Sequence, residues 1–319
     1  MKKLTLFIFL ITTLLAITPA EYQNKLKIGI NVNWCNFNKY VKNEYYKIGS
    51  KEFAKLGFKH VRIRFNGKLY EKNPEIMLKC LKNSVDSALQ NNLIPIITYT
   101  NENFAQNPNK KSLNFSVNVW KTIAKNFKNY PQTLAYDLYI EPNKKLGKRI
   151  KKLLKFYKKS ITEIRKIDTK KMIFIAPPHI ANPYYLNDLL PIVKNKKLNK
   201  NILIEWHFYA AGPSKTNKKK LWTTGNDYEK KLIDNKINYA YNWCQKYKLK
   251  SWVGAVMPGN YNHGDNYSYE DQINFITYII KKLKEKNIPF AINAGQQFFD
   301  YKTRKLKRVE VLKAILNLY

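Results

Sequence analysis

The sequence predicts a single-domain α/β fold, an eight-stranded (β/α)₈ or TIM barrel, from three observations. Eight short apolar runs rich in Ile, Val, Phe and Tyr recur along the chain, roughly 30 to 50 residues apart. Longer segments with helical periodicity lie between them. No composition break, low-complexity linker or repeat divides the chain, so we expect one domain over residues 21–319.

The apolar runs are nearly continuous, as is typical of strands that are buried on both faces in a parallel sheet. They are KIGINVN (27–33), HVRIRF (60–65), IPIITY (94–99), TLAYDLYIEP (133–142), KMIFIAPP (171–178), ILIEWHFY (202–209), SWVGAVMP (251–258) and PFAINA (289–294).

The helical segments are clearest at 75–90 and 269–286, where apolar residues form one stripe. Asn114 and Ser268 have the residue types that begin helices. An open doubly wound sheet is the structural alternative, but no GxGxxG or GxxxxGK[ST] pattern follows any of the strands. In a barrel the functional site should lie where the strands end.

The first 20 residues, MKKLTLFIFLITTLLAITPA, have the pattern of a secretory signal peptide cut after Ala20. A basic start precedes an apolar run and a small-residue exit, and that run is too short to favour a stable membrane span. No later segment is apolar enough to cross a bilayer. We therefore expect a secreted, periplasmic or extracellular protein with no transmembrane segment after cleavage, and a monomer.

Charge and cysteine content exclude several classes of function. The net charge is +36, but only six of the 58 basic residues are arginine, and the lysines are spread along the whole chain. Arginine is the residue favoured for phosphate and base recognition, so we expect no specific nucleic-acid partner. Three cysteines allow at most one disulfide and no CxxC metal site. No metal or cofactor is implied.

The fourth strand carries a carboxylate at its end. Alternation along a strand would direct Asp137, Tyr139 and Glu141 to one side, with Glu141 last. A carboxylate at that position suits acid/base chemistry, although a helix cap or a lysine partner explains it equally well.

Strands six and two add further polar groups. Alternation places Glu205, His207 and Tyr209 on one face of strand six, where they form a candidate site. Arg62 on strand two must find a carboxylate or backbone partner if it is buried. Glu205 is as good a partner for Arg62 as it is a catalytic group.

Five segments together resemble glycoside hydrolase family 5, the cellulase-like barrels of a clan of retaining glycosidases. The resemblance covers nearly all of the chain after the leader. The arginine matching Arg62 supports the catalytic acids in that family, and Glu141 matches its general acid/base. The segments are GINVNW (29–34), FAKLGFKHVRIRF (53–65), YPQTLAYDLYIEPN (130–143), IEWHFYAAGPS (204–214) and WVGAVMPGNY (252–261).

The chain departs from the family pattern at several positions of the site. The nucleophile position is Ala255, and the asparagine before the acid/base is Ile140. Asn293 stands where the family has a sugar-stacking tryptophan, and the histidine after strand three is Thr100 or Asn101. Because these positions changed together, we attribute Ala255 to natural divergence. Candidate sugar contacts are Trp34, Tyr99, Asn101, Tyr261 and Asn293.

The resemblance implies that the partner is a β-linked glycan or oligosaccharide, and it leaves two main hypotheses for function. The first is an O-glycosyl hydrolase with a remodelled site, in which Glu141 is the acid. Either Glu205 pairs with Glu141 to activate a water and invert configuration, or a tyrosine such as Tyr209 or Tyr261 or a substrate N-acetyl group supplies the nucleophile. The second is a carbohydrate-binding barrel without catalysis, in which Arg62, His207 and Tyr209 are retained as scaffold and ligand contacts. A basic surface adhesin is a third, weaker hypothesis.

Overall fold

The computed structural model describes residues 16–208, 222, 224–259, 261 and 268–318. Eight parallel strands pair in sequence order, and the first strand also pairs with the eighth, which closes the barrel. The predicted fold class is therefore confirmed. The strands are β1 Ile28–Cys35, β2 His60–Asn66, β3 Ile94–Thr100, β4 Ala135–Asp137, β5 Ile173–Ile175, β6 Ile202–Phe208, β7 Lys250–Val256 and β8 Phe290–Ile292. A small hairpin, β9 Phe299–Asp300 with β10 Lys305–Leu306, follows the barrel.

Helices surround the barrel and connect successive strands. They are α1 Pro19–Leu26, α2 Asn38–Lys42, α3 Tyr46–Lys55, α4 Gly67–Lys72, α5 Pro74–Gln90, α6 Glu102–Gln106, α7 Lys110–Phe127, α8 Lys144–Lys148, α9 Ile150–Arg165, α10 Pro178–Ala181, α11 Leu190–Val193, α12 Asp227–Lys246, α13 Tyr269–Glu285 and α14 Val309–Leu316. Two 3₁₀ helices span Pro183–Leu189 and Gly295–Gln297.

The helix predictions are right in two places and wrong in one. Helix α5 and helix α13 match the predicted periodic segments, and the Ser268 side chain accepts a hydrogen bond from the Asp271 amide as the cap of α13. The helix expected to begin near Asn114 begins at Lys110 instead. The reason is that Asn109 forms a reciprocal capping box with Ser112.

Helix α1 closes the N-terminal end of the barrel. Its Tyr22 and Leu26 are fully buried in a second apolar cluster with residues of the barrel interior, among them Phe174 and Trp252. The Tyr22 hydroxyl donates to the carbonyl oxygen of Thr133 at 3.0 Å. The bottom of the barrel is thus packed with side chains, which leaves the opposite end, where the strands finish, for a site.

One disulfide joins Cys35 at the end of β1 to Cys80 on α5. Cys244 is a buried free thiol, and burial is the main cause that raises its pKa to about 12. The thiol is therefore protonated at neutral pH and is not a nucleophile. Among the described residues, none of the helices is both long and apolar enough to span a membrane.

Candidate functional site

Arg62 is the centre of a buried polar cluster inside the barrel. Its side chain is fully buried. Nη1 donates to Oδ2 of Asp137 at 3.0 Å and to Oε1 of Glu205 at 2.7 Å, while Nε donates to Oδ1 of Asn31 at 2.6 Å. The guanidinium carbon also lies 5.1 Å from the centre of the Trp252 ring. Two carboxylates from β4 and β6 thus supply the partners that the sequence analysis required for a buried arginine.

Sequence reasoning missed several members of this cluster. Thr98 on β3 donates to Oδ2 of Asp137 at 2.7 Å, and Asn31 on β1 donates to the carbonyl oxygen of Gly254 at 3.0 Å. From the sequence, Asp137 is singled out only for sharing a strand with Glu141. The available signal is a polar side chain within the apolar runs of β1, β3 and β4, since a buried polar group must be hydrogen-bonded.

Glu205 lies deep in the barrel, with a side chain that is 0% exposed. Besides its ion pair with Arg62, its Oε1 is in close contact with Nε2 of His207. A Cβ atom built on Gly254 of the neighbouring strand would overlap the same oxygen. The carboxylate is therefore held between β6, β7 and Arg62, which is the partner role that the sequence analysis left open beside a catalytic one.

His207 connects this buried cluster to the mouth of the barrel. Its Nδ1 lies 3.0 Å from Oε1 of Glu141, and its Nε2 faces Glu205 on the opposite edge of the ring. The imidazole is buried, whereas the Glu141 side chain is 26% exposed. Two carboxylates on the two ring nitrogens favour the doubly protonated imidazolium, because each nitrogen then donates to an acceptor.

Glu141 reaches His207 from irregular backbone rather than from a strand. Strand β4 ends at Asp137, and Glu141 has a left-handed φ of 53°. The expected common face is wrong for Tyr139, which packs against Phe104 and Phe156 on the helix side, because alternation stops where β4 ends. A left-handed conformation is uncommon for glutamate and is often found where a side chain must be aimed into a functional site.

The pKa values of the buried cluster are set by burial and by the ion pairs among its members. Burial alone would lower the pKa of His207, but Glu205 and Glu141 outweigh it and raise the pKa above its ordinary value. Burial and the nearby charge of Glu205 raise the pKa of Asp137 to about 6, against the effect of Arg62. Burial opposes ionisation of Glu205 as well, yet His207 and Arg62 hold its pKa below the ordinary range. Of the two carboxylates that share Arg62, Glu205 therefore ionises at the lower pH.

Ala255 lies beside His207. The two residues are paired in the register of β6 and β7, and both the β6–β7 and the β7–β8 pairing are irregular at this point. Such irregularities often re-aim a side chain next to an active site. The methyl group of Ala255 is fully buried and brings no functional group to that position.

Asn293 and Tyr261 lie on the mouth side of the barrel. Oδ1 of Asn293 accepts a hydrogen bond from Nη2 of Arg64 at 2.6 Å. The partly buried Tyr261 donates to Gln272 at 2.9 Å, and its ring lies 4.3 Å from the guanidinium of Arg308. Both residues thus belong to polar contacts around the loops that follow β7 and β8.

Three predicted sugar contacts lie elsewhere. Trp34 and Tyr99 are fully buried, because strand alternation turns them away from the barrel interior. Trp34 contacts Tyr301 in the turn after β9, and Tyr99 contacts Trp120 on α7. Asn101 is also buried and caps α6 by accepting from the Phe104 amide. The expectation of sugar binding does not hold for Trp34 and Tyr99, since neither presents a ring to solvent. Tyr209 lies outside the described residues.

The histidines offer a direct measurement of this arrangement. In an NMR titration, we expect His207 to keep its proton above the usual pH. His60 should stay neutral throughout, because burial lowers its pKa to about 3. Glu141→Gln should lower the pKa of His207 by removing one charged acceptor. An unchanged His207 titration in that variant would contradict the contact with Glu141, and His60 serves as the internal control.

The family model described as cellulase, glycosyl hydrolase family 5, matches residues 22–294. The chain belongs to glycosyl hydrolase family 5. The match includes all eight barrel strands and the buried cluster around Arg62. None of the curated proteins matches this chain closely enough to be counted as a relative.

Solved structures share the fold of this family 5 chain at low sequence identity. A hyperthermophilic endo-β-1,4-glucanase is 24% identical, with 94% of this chain and 100% of that chain covered and a TM-score of 0.77. Endoglucanase Cel5A from Thermotoga maritima is 21% identical, with coverage of 94% and 100% and a TM-score of 0.78. The Clostridial cellulose synthase subunit Z from Clostridioides difficile is 20% identical, with coverage of 91% and 99% and a TM-score of 0.73. At these identities the likeness establishes the fold alone.

Proposed function

We propose that this family 5 barrel is exported and binds a β-linked glycan at its mouth without cleaving it by the retaining mechanism. The observation that carries the proposal is the state of the second carboxylate. Retaining hydrolysis needs two carboxyl groups about 5 Å apart, one beside the glycosidic oxygen and one facing the anomeric carbon. Ala255 supplies none, and Glu205 is fully buried against Arg62 and His207.

The geometry also argues against an inverting pair made of Glu141 and Glu205. An inverting enzyme needs roughly 6.5–9.5 Å between its carboxyl groups to hold a water and the sugar. Here the two carboxylates contact opposite nitrogens of one imidazole, so that the His207 ring occupies the space between them. Glu205 therefore acts through His207 and not on a substrate.

Glycan binding is supported by the polar groups that remain near the mouth. Glu141 is partly exposed, and Arg64 with Asn293 and Tyr261 with Arg308 add hydrogen-bonding and ring surfaces. Sugar sites combine polar groups for the hydroxyls with aromatic faces for the rings.

Export is supported by the leader pattern and by the Cys35–Cys80 disulfide, since disulfides persist in oxidising compartments. Cleavage after Ala20 would keep Tyr22 and Leu26, the two residues of α1 that fill the barrel bottom. It would remove Thr18, which caps the helix together with Glu21.

Hydrolysis is the second candidate, favoured by the contact between Glu141 and His207 at the mouth. A general acid held by a histidine still needs a nucleophile, for which Tyr209, Tyr261 or a substrate N-acetyl group would have to serve.

The deciding experiment measures binding and turnover on the same protein. The purified chain is mixed with cello-, manno- and N-acetylated oligosaccharides, and affinity is followed by calorimetry while reducing ends are counted. We expect salt-tolerant binding, competed by free sugar, without reducing-end release. Turnover abolished by Glu141→Gln would instead favour the hydrolase. Binding that disappears at high salt and ignores free sugar would favour the basic adhesin, because counterion effects dominate such contacts.

A further inference from the structure

We propose that the carboxylate of Glu205, on β6, occupies the position beside Arg62 and His207 in which the carboxylate of a glutamate at residue 255 would have to lie. Residues 205 and 255 are then alternative positions for one carboxylate, and Glu205 is a positioning residue that keeps the cluster charge-balanced in the presence of Ala255. The inference rests on the proposed function only for its activity measurement.

The first argument is spatial. Oε1 of Glu205 occupies the volume above Gly254, since a Cβ atom there would overlap it. Although Ala255 directly follows Gly254, a register shift at this point pairs it with His207, so residue 255 lies on the same face as the imidazole. A longer side chain at 255 would therefore enter a region that is already filled by the Glu205 carboxylate and the imidazole. Interiors packed at crystal-like density do not accept such an addition without displacement.

The second argument is charge. Arg62 and protonated His207 provide two positive charges, and Asp137, Glu205 and Glu141 provide up to three negative charges around them. Asp137 already responds to this excess, because burial and Glu205 raise its pKa. One more carboxylate at residue 255 would be buried without a cation of its own, which is strongly unfavourable.

The alanine at residue 255 therefore removes a functional group without removing the ion pairs of the cluster. The anionic charge that Arg62 and His207 require is supplied by the adjacent strand, so the cluster keeps its ion pairs and Glu141 keeps its contact with His207. A glutamate restored at residue 255 alone should be excluded, whereas one introduced together with removal of the Glu205 charge should be accepted.

The test compares four proteins: the unchanged chain, Glu205→Gln, Ala255→Glu and the double variant. We expect each single substitution to raise the unfolding equilibrium constant. If the two substitutions acted independently, their effects on the unfolding equilibrium constant would multiply. In the double variant we expect a constant about tenfold lower than that product, because residues 205 and 255 share partners. The His207 titration is the second readout. Its pKa should fall in Glu205→Gln and recover in the double variant, a recovery that a purely structural role of Glu205 would not produce.

Asp137→Asn combined with Ala255→Glu is the matched control. It removes a carboxylate from the same guanidinium but not from the space above Gly254, so its coupling should be smaller. Multiplicative effects of Glu205→Gln and Ala255→Glu on unfolding, or a His207 pKa that stays low in the double variant, would overturn the inference. If the Glu205 single variant does not fold, recovery of folding in the double variant is itself the expected result, and failure of both variants to fold would refute it.

An activity assay separates this inference from the proposed function. In the double variant, the introduced carboxylate can attack the anomeric carbon of a nitrophenyl β-cellobioside. Nitrophenolate, a weak base, leaves as the anion, and water then cleaves the glycosyl ester, giving its proton to Glu141 and regenerating the introduced carboxylate. Release of nitrophenol by the double variant alone supports both proposals. Coupling in unfolding with neither release nor sugar binding would uphold the exchange of carboxylates and refute the glycan site.

Discussion

Replacing Arg62 with methionine should destabilise the protein by about 3–5 kcal/mol at pH 7, which is the cost of removing one partner from a buried ion pair. Methionine keeps much of the side-chain length, so the loss is mainly one of charge and hydrogen bonds. Asp137 and Glu205 would both remain buried without their shared guanidinium. Urea unfolding of the two proteins measures the difference.

The cost of Arg62→Met should shrink as the pH falls from 7 toward 5. A carboxyl group whose pKa is higher in the folded than in the unfolded state favours folding at low pH, and this advantage is lost as the pH rises through the folded pKa. Asp137 is such a group even with Arg62 present, with a pKa of about 6, and loss of the guanidinium would raise it further. Protonation of Asp137 at lower pH therefore stabilises the Arg62→Met variant more than the parent, and the difference in stability between them shrinks.

Two comparisons make this result interpretable. Arg149 has an exposed side chain, so Arg149→Met should change stability by no more than about 0.5 kcal/mol. Adding Asp137→Asn and Glu205→Gln to Arg62→Met should recover part of the loss, because no uncompensated charge is left. A pH-independent cost below about 1 kcal/mol would contradict the central role of Arg62.

Tyr22→Ala should have a comparable effect, about 3–5 kcal/mol, because it removes a large side chain from the closed end of the barrel. The Tyr22 ring is 0% exposed, lies 6.1 Å from the Phe174 ring and belongs to the cluster inside the barrel. Guanidinium unfolding of the chain without its first 20 residues measures the loss.

The control for this substitution is Tyr228→Ala on α12, whose side chain is 71% exposed and should be nearly neutral. Tyr22→Phe isolates the hydrogen bond to Thr133 and should cost about 1 kcal/mol. Equal stability of Tyr22→Ala and the parent would mean that α1 does not close the barrel in solution.

The strands and most helices could be predicted because their signals are local. Apolar runs such as those of β3 and β6 lie in one stretch of chain, and the caps at Ser268 and Asn109 act within three residues. The start of α7 is predicted wrongly because the local cap at Asn109 begins the helix before Asn114. The end of β4 at Asp137 has no comparable marker in the sequence, and the alternation assumed for Tyr139 and Glu141 failed there.

The site could be predicted as a set of residues but not as an arrangement. Their positions at strand ends and the alternation along the strands select Arg62, Glu141, Glu205 and His207 as candidates. The structure places these four residues in one cluster. The sequence by itself determined the barrel, the family and the absence of a carboxylate at Ala255. Only the tertiary structure shows that Glu205 is buried beneath His207, and that Trp34 and Tyr99 are buried outside the barrel interior. The physical reason is that periodicity is a property of one segment, whereas burial and ion pairing depend on how strands distant in sequence approach one another.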